Sequence, residues 1–200
     1  MRGVAQGSKA WRSVFQGMPA EVAGMTVGIF GCDPGGSTGI AWGVFDEGAP
    51  IAQSLRDRAH AGSTTVTGDA PTQIREIADI WAAFYQACTQ HAGLDHDEIW
   101  FVCEDFVYRS KQVYGGDDSS ISISIIWGIE GYRMGKWDSQ KHDQLDRYPS
   151  MILQTAGEAK SFATKERLKD FGIWVVGRDH ERSAWAHIAL LLKKLQLRIS

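Results

Sequence analysis

The chain has 200 residues, a length that suits one domain with a substantial core, and 44% of them are apolar and 22% charged, the balance of a soluble globular protein. No apolar run reaches the roughly 18–20 residues of a membrane span, and three cysteines without a CxxC spacing argue against a disulfide framework or a zinc site and for a reducing cytoplasm. Net charge is −3, which does not advertise a nucleic-acid binder, yet from Lys160 onward 9 basic residues face 4 acidic ones.

Residues 1–23 contain Arg2, Lys9 and Arg12 but no continuous apolar stretch, so they read as an extension rather than a signal peptide, ahead of a single domain over 24–200. Residues 25–33 read as a buried strand and 39–45 as its hairpin partner after the Pro-Gly-Gly turn. Ile51 and Leu55 alternate with polar neighbours, which predicts a third strand over 50–56, followed by a loop over 60–69. From Ala70 to His91, Ile74, Ile77, Trp81, Phe84 and Tyr85 recur at helical spacing behind Asp69 as N-cap. Residues 98–106 form a central strand and 107–120 a polar loop. A second helix spans 119–134 and carries Ile123, Ile126, Trp127, Glu130 and Tyr132; residues 135–148 read as irregular. A strand over 150–155, a short helix over 164–172 ending at Gly172, and an apolar link over 173–176 follow. The last helix starts near Asp179 with Ala184, Ile188, Leu191 and Leu195 on one face. This order predicts an α/β or α+β sheet with helices on its faces.

Two acids stand out within apolar strands. Val27, Ile29, Gly31 and Asp33 share one side of the first strand, and Trp100, Val102, Glu104 and Phe106 one side of the central strand, with Asp105 opposite. A carboxylate in such a place is costly unless it is paired or bound to a metal. A divalent cation shared by Asp33 and Glu104 answers both. On the last helix His180, Ala184, His187 and Leu191 lie on one face, so His180 looks toward the sheet's end; His187 reads as a core residue. Ser183 lies one turn on, and Asp179 reads as N-cap. The loop after the central strand interleaves Tyr108, Arg109, Lys111 and Tyr114, a pattern suited to stacking on bases and contacting phosphates. Lys160, Lys165, Arg167 and Lys169 offer further positive charge. Trp81, Tyr85, Trp127 and Tyr132 read as core or dimer-interface residues.

The blocks "CDPGGSTGIAWGVF", "FVCEDF", "SIIWGIEGYRM", "QTAGEAKSFATKERLKDFGIW" and "RDHERSAWAHIALLL", in this order over residues 25–195, resemble RuvC-like Holliday junction resolvases, above all the compact versions of bacteriophages, within the ribonuclease H-like superfamily. The resemblance implies a five-stranded mixed sheet with an antiparallel first hairpin, flanked by helices. It implies a homodimer that resolves four-way junctions or related branched DNA by paired nicks, in the host cytoplasm if phage-encoded. Catalysis would fall to Asp33, Glu104, His180 and Ser183, and metal binding to Asp33, Glu104 and His180, with Asp179 or Glu181 in reserve. Two Mg²⁺ ions are implied, with Mn²⁺ suited to an imidazole in the donor set. DNA contacts would come from Tyr108, Arg109, Lys111, Tyr114, Lys160 and Lys165, and the dimer interface from the 119–134 helix. Ser183 departs from the family pattern, which has an aspartate there. Other readings compete. The Asp-Pro-Gly-Gly turn also resembles the phosphate loop of sugar kinases and actin-like ATPases. The remaining alternatives are a resolvase-like protein that grips branched DNA without cutting it, and a related nuclease that cuts flaps, forks or RNA–DNA hybrids.

Overall fold

A computed structural model of the chain describes residues 26–46, 49–56, 61–105, 118–138, 151–174 and 176–199. Five strands, β1 (Thr26–Asp33), β2 (Ser37–Asp46), β3 (Gly62–Thr67), β4 (Ile99–Asp105) and β5 (Met151–Thr155), form one sheet in the order β3-β2-β1-β4-β5. Helices α1 (Ile51–Arg56), α2 (Ala70–Gln90), α3 (Asp118–Asp138), α4 (Ala156–Phe162), α5 (Lys165–Asp170) and α6 (Asp179–Ile199) accompany it. The first hairpin is antiparallel, β1 and β4 run parallel, and so do β4 and β5. The architecture is α/β, a five-stranded mixed sheet flanked by helices. Among the described residues no helix is long and apolar enough to cross a membrane.

β1 is buried along all eight residues because helices cover both faces of the sheet there. Even positions of β1 face one layer, where Phe30 packs on Phe101 (centroids 5.1 Å apart) and Trp81 on Phe101 (5.0 Å), beneath α2 and α3. Odd positions face the other layer, where Val27, Ile29 and Val102 meet Ala184, Trp185 and Ile188 of α6. Burying each large apolar side chain contributes about 1.5–3 kcal/mol, so the two layers fix the sheet between α2 and α6. α6 lies unusually close. A Cβ on Gly31 would stand 2.7 Å from the Ala184 carbonyl oxygen, and one on Gly39 would stand 2.1 Å from the His180 carbonyl carbon and oxygen.

Three sequence expectations are corrected. Residues 50–56 are not a strand: Ile51–Arg56 is α1, with Leu55 fully buried in the α6 layer beside Ile51. Two apolar residues four apart satisfy a helical period as well as alternation. Residues 60–69 are not all loop, since Gly62–Thr67 pairs antiparallel with β2 as the sheet's edge. Its Ser and Thr residues disguise it, because an edge strand buries little; Val66 is its buried side chain. The helix over 119–134 begins at Asp118 and runs on to Asp138, into a segment expected to be irregular. α4 was not expected as a helix; its N-cap Thr155 accepts a hydrogen bond from the Glu158 amide. The helix after Asp69 is as expected, with the Asp69 carboxylate accepting from the Thr72 amide at 3.0 Å. Gly172 ends α5 in the left-handed region at φ 70°. All three cysteines are free and buried. Trp81 is in the core, whereas Trp127 is 71% exposed.

Candidate active site

Cys32 of β1 pairs with Cys103 of β4, so the next residues, Asp33 and Glu104, emerge side by side at the carboxyl ends of two parallel strands. That end of an open α/β sheet is where ligands gather. Both acids lie on the α6 face. Asp33 is 9% exposed, and its carboxyl is raised from 3.8 to about 8, first by burial and then by the Glu104 charge and a hydrogen bond with Glu104. Glu104 goes the other way. Burial pushes it up, but hydrogen bonds from His187 and Asp33 and the nearby charges of His187 and Lys160 outweigh it and hold the carboxyl below its ordinary range. Two acids within reach of one proton thus divide it unequally, with Asp33 keeping it.

The first three turns of α6 supply the surroundings. His180 Nδ1 lies 3.1 Å from Asp33 Oδ2, and the ring remains 49% exposed. Ser183 Oγ donates to Glu104 Oε2 at 3.4 Å. His187 is fully buried, with Nε2 3.2 Å from the same Glu104 oxygen and Nδ1 3.1 Å from Gln154 Oε1. Gln154 is the β5 residue paired with Glu104. The read-out of His187 as a plain core residue is therefore incomplete: it is buried, and it holds a site carboxylate. Lys160 on α4 is exposed, and its charge favours the ionised form of both acids.

The Pro-Gly-Gly turn is held from two sides. Buried Gln73 of α2 donates through Nε2 to the carbonyls of Gly68 (2.9 Å), Gly36 (3.2 Å) and Gly35 (3.4 Å), and its Oε1 accepts from Thr38 Oγ1 at 2.6 Å. From α3, Ser122 Oγ donates to the Pro34 carbonyl at 2.9 Å. The turn itself is tight: a Cβ on Gly35 would stand 3.3 Å from the Ser37 carbonyl oxygen.

The structure brings Asp33, Glu104, His180 and Ser183 together. It does not bring Asp179, whose 82% exposed carboxylate pairs with Arg182. Nor is Glu181 in reserve: it is buried, accepts from Ser63 Oγ at 2.5 Å and Thr65 Oγ1 at 3.1 Å, and pairs with Arg178, tying the start of α6 to β3. Lys165 Nζ sits 5.5 Å above the Trp174 ring, which the Arg182 guanidinium also covers at 4.4 Å. Tyr108, Arg109, Lys111 and Tyr114 lie outside the described residues. Gln73, Gln154 and His187 were missed as site residues. Their one sequence signal is a polar side chain within an apolar period.

Among the described residues no three of His, Cys, Asp and Glu form a ready metal cage. Asp33 and Glu104 are the pair that could hold a cation, the remainder of its shell being left to water or a ligand. No family model matches the chain, and no curated protein does. The crystal structure of the yeast mitochondrial Holliday junction resolvase is similar at 11% identity and a TM-score of 0.40, covering 96% of this chain and 87% of that one. A likeness at that level assigns no residue a role.

Proposed function

We propose that this protein is a metal-dependent endonuclease of the RuvC-like, ribonuclease H-like kind that cuts four-way junctions or related branched DNA. The observation that carries the reading is the pairing of Asp33 and Glu104 at the ends of adjacent parallel strands, with His180 and Ser183 delivered to them by α6. A phosphate-cradling turn would not need Glu104 or His180 at all.

The acid pair fits a hard divalent cation such as Mg²⁺ or Mn²⁺. Two carboxylates that hold a proton between them at about pH 8 are an arrangement a cation relieves, and Mg²⁺ takes one or two carboxylates and leaves its other positions to water and phosphate oxygens. When bound, such a cation polarises a phosphoryl oxygen and makes its water a nucleophile near neutral pH. The chain's own residues do the rest. Ser183 and His187 fix the rotamer of Glu104, and His187 helps keep it ionised. His180 braces Asp33 with one ring nitrogen and turns its exposed edge outward, where it can orient a water. Lys160 offsets charge as a phosphodiester approaches. A junction has two symmetric strands to cut, which favours a homodimer, and exposed Trp127 on α3 supports that helix as its interface.

One observation favours a second reading, in which the protein binds branched DNA without cutting it. The Ser183 hydroxyl is neutral and is spent on Glu104. The test separates the two. A labelled four-way junction, a flap, a fork and a linear duplex are incubated with the protein in Mg²⁺ and in Mn²⁺, beside Asp33→Asn, while sedimentation measures its mass. Paired nicks in opposing arms, lost in the variant, are expected. Junction binding without nicks establishes the second reading, and neither binding nor cutting overturns both.

A further inference from the structure

Gln73 is fully buried on α2, in the layer opposite α6, and its side-chain amide is turned to the hairpin that follows Asp33 and to Gly68 just ahead of its own helix. Its partners fix the sense of that amide. The Gly35 amide donates to Thr38 Oγ1 at 3.4 Å, so the hydroxyl gives its own proton to Gln73 Oε1 at 2.6 Å. Nε2 is left for the carbonyls of Gly68, Gly36 and Gly35. Gln73 and Thr38 thus hold Gly35 by both its amide and its carbonyl, and Ser122 of α3 takes the Pro34 carbonyl beside it.

The strands do not require this. β1 pairs with β2 from Thr26 opposite Asp46 through Asp33 opposite Gly39, so the sheet already places Asp33. What the sheet leaves free is the turn between them, with two successive glycines, the residue type that gives up most conformational freedom on ordering. That turn borders the site: a Cβ on Gly35 would stand 3.9 Å from His180 Cε1. Carbonyl oxygens are the negative ends of peptide dipoles. Gln73 holds those of Gly35 and Gly36 on the α2 side, away from the α6 side where a phosphodiester would come to Asp33.

We propose that Gln73 is a positioning residue of this site: through Thr38 and the carbonyls of Gly35 and Gly36 it fixes the turn beside His180 and keeps the approach to Asp33 clear of carbonyl oxygen. What the positioning serves rests on the nuclease reading above; the positioning itself does not. A glutamine can do this and side chains of its size cannot. Glutamate would set an oxygen against three carbonyl oxygens, and methionine fills the space without donating.

The test uses the full chain with ¹³C at histidine Cε1, read by nuclear magnetic resonance, the His180 signal being assigned by its loss in His180→Gln. Gln73→Met should shift or broaden the His180 signal and leave that of His187, fully buried between Glu104 and Gln154, in place. In single-turnover cleavage of a labelled four-way junction in Mg²⁺ or Mn²⁺, its rate constant should fall roughly 10–100-fold. Junction affinity in EDTA, set by many phosphate contacts, should stay within about twofold of wild type. A variant that only unfolds more readily would lose amplitude and keep its rate constant. Thr38→Val removes the hydroxyl and keeps the shape; it should act in the same direction to a smaller extent, and it carries the test if Gln73→Met does not fold. A folded variant with the wild-type His180 signal overturns the proposal, as does Gln73→Met cutting at the wild-type rate. A change that reaches His187 equally is a general loosening of the fold and overturns it too. A displaced His180 signal beside a wild type that leaves every junction uncut sinks the nuclease reading alone, and cutting by the wild type with an unmoved signal in the variant sinks the positioning role alone.

Discussion

Asp33 ends a strand that is buried throughout, and ionising it there is opposed by burial and by Glu104. Its carboxyl titrates near 3.8 in the unfolded chain and at about 8 in the folded one, so the folded state holds a proton that the unfolded state has released. Stability from this group is fully present below the unfolded value and is lost as pH rises toward the folded one. In a chelator, Asp33→Asn should therefore be more stable than wild type at pH 8, by about 1–2 kcal/mol or a few degrees in Tm, and the gap should close near pH 4. Differential scanning calorimetry across that range is the check. At pH 8, Mn²⁺ should raise the Tm of the wild type and leave the variant unmoved. His187 carries the opposite case, since its bond is the largest of the contacts that, with those of Asp33 and Lys160, hold Glu104 below its ordinary range against burial. His187→Ala leaves Glu104 and Gln154 without their shared partner in a closed space. Denaturant titration should show a loss of about 2–4 kcal/mol, and junction cleavage should fall while binding persists. The sequence placed Asp33, Glu104, His180 and Ser183 on converging faces because each follows from the local period of its own element. It could not reveal that His187 reaches Glu104, because that contact joins residues 83 apart, and the other ring nitrogen is held by Gln154 on a third element.

At the scale of elements, the site exists because α6 can lie almost on the backbone of β1 and β2. Two glycines make that possible. Gly39→Ala is the sharper test, since its Cβ would fall 2.1 Å from the His180 carbonyl group, and a backbone atom cannot rotate aside as a side chain can. The first turn of α6 must lift, which takes His180 off Asp33 and strains the Glu181 anchor to β3. The expected cost is about 2–4 kcal/mol in a denaturant titration, with cleavage lost even below the midpoint of unfolding. The long apolar elements were legible from pattern alone: β1 and β4 as apolar runs, α2 by the helical period that burial on one side enforces, and α6 by its apolar stretch, buried throughout from Ala184 to Leu192. The short or polar ones were not. α1 offers two apolar residues, too few to separate a period of 2 from one of 3.6. β3 is a strand because β2 presents it with an open edge, and Ser63 and Thr65 face Glu181 instead of a core. Its reason for being a strand lies elsewhere in the chain.

Over the whole molecule, charge is divided rather than balanced. Residues 1–100 hold 6 basic and 11 acidic residues, while the stretch from Lys160 holds 9 and 4. A net charge of −3 would repel DNA at a distance, so affinity for a phosphodiester must come from local fields, screened beyond about 8 Å at physiological salt. Lys160 is the described cation whose field reaches both acids of the site. Lys165, of the same basic stretch, is instead held above the Trp174 ring. The two lysines should therefore separate in a salt series. For a protein that contacts duplex phosphates, the logarithm of affinity falls with the logarithm of salt by roughly 0.9 per phosphate neutralised. Lys160→Ala should weaken junction binding at low salt and flatten that slope by about one contact, without regard to junction sequence. Lys165→Ala should change the slope less, because the ring shares its charge. The measurement is fluorescence anisotropy of a labelled junction in EDTA, where no cutting intervenes. An unchanged slope in Lys160→Ala would mean that this lysine serves the carboxylates and not the DNA, and the phosphate path across the site would then have to be drawn past the Trp174 side of α5 and α6.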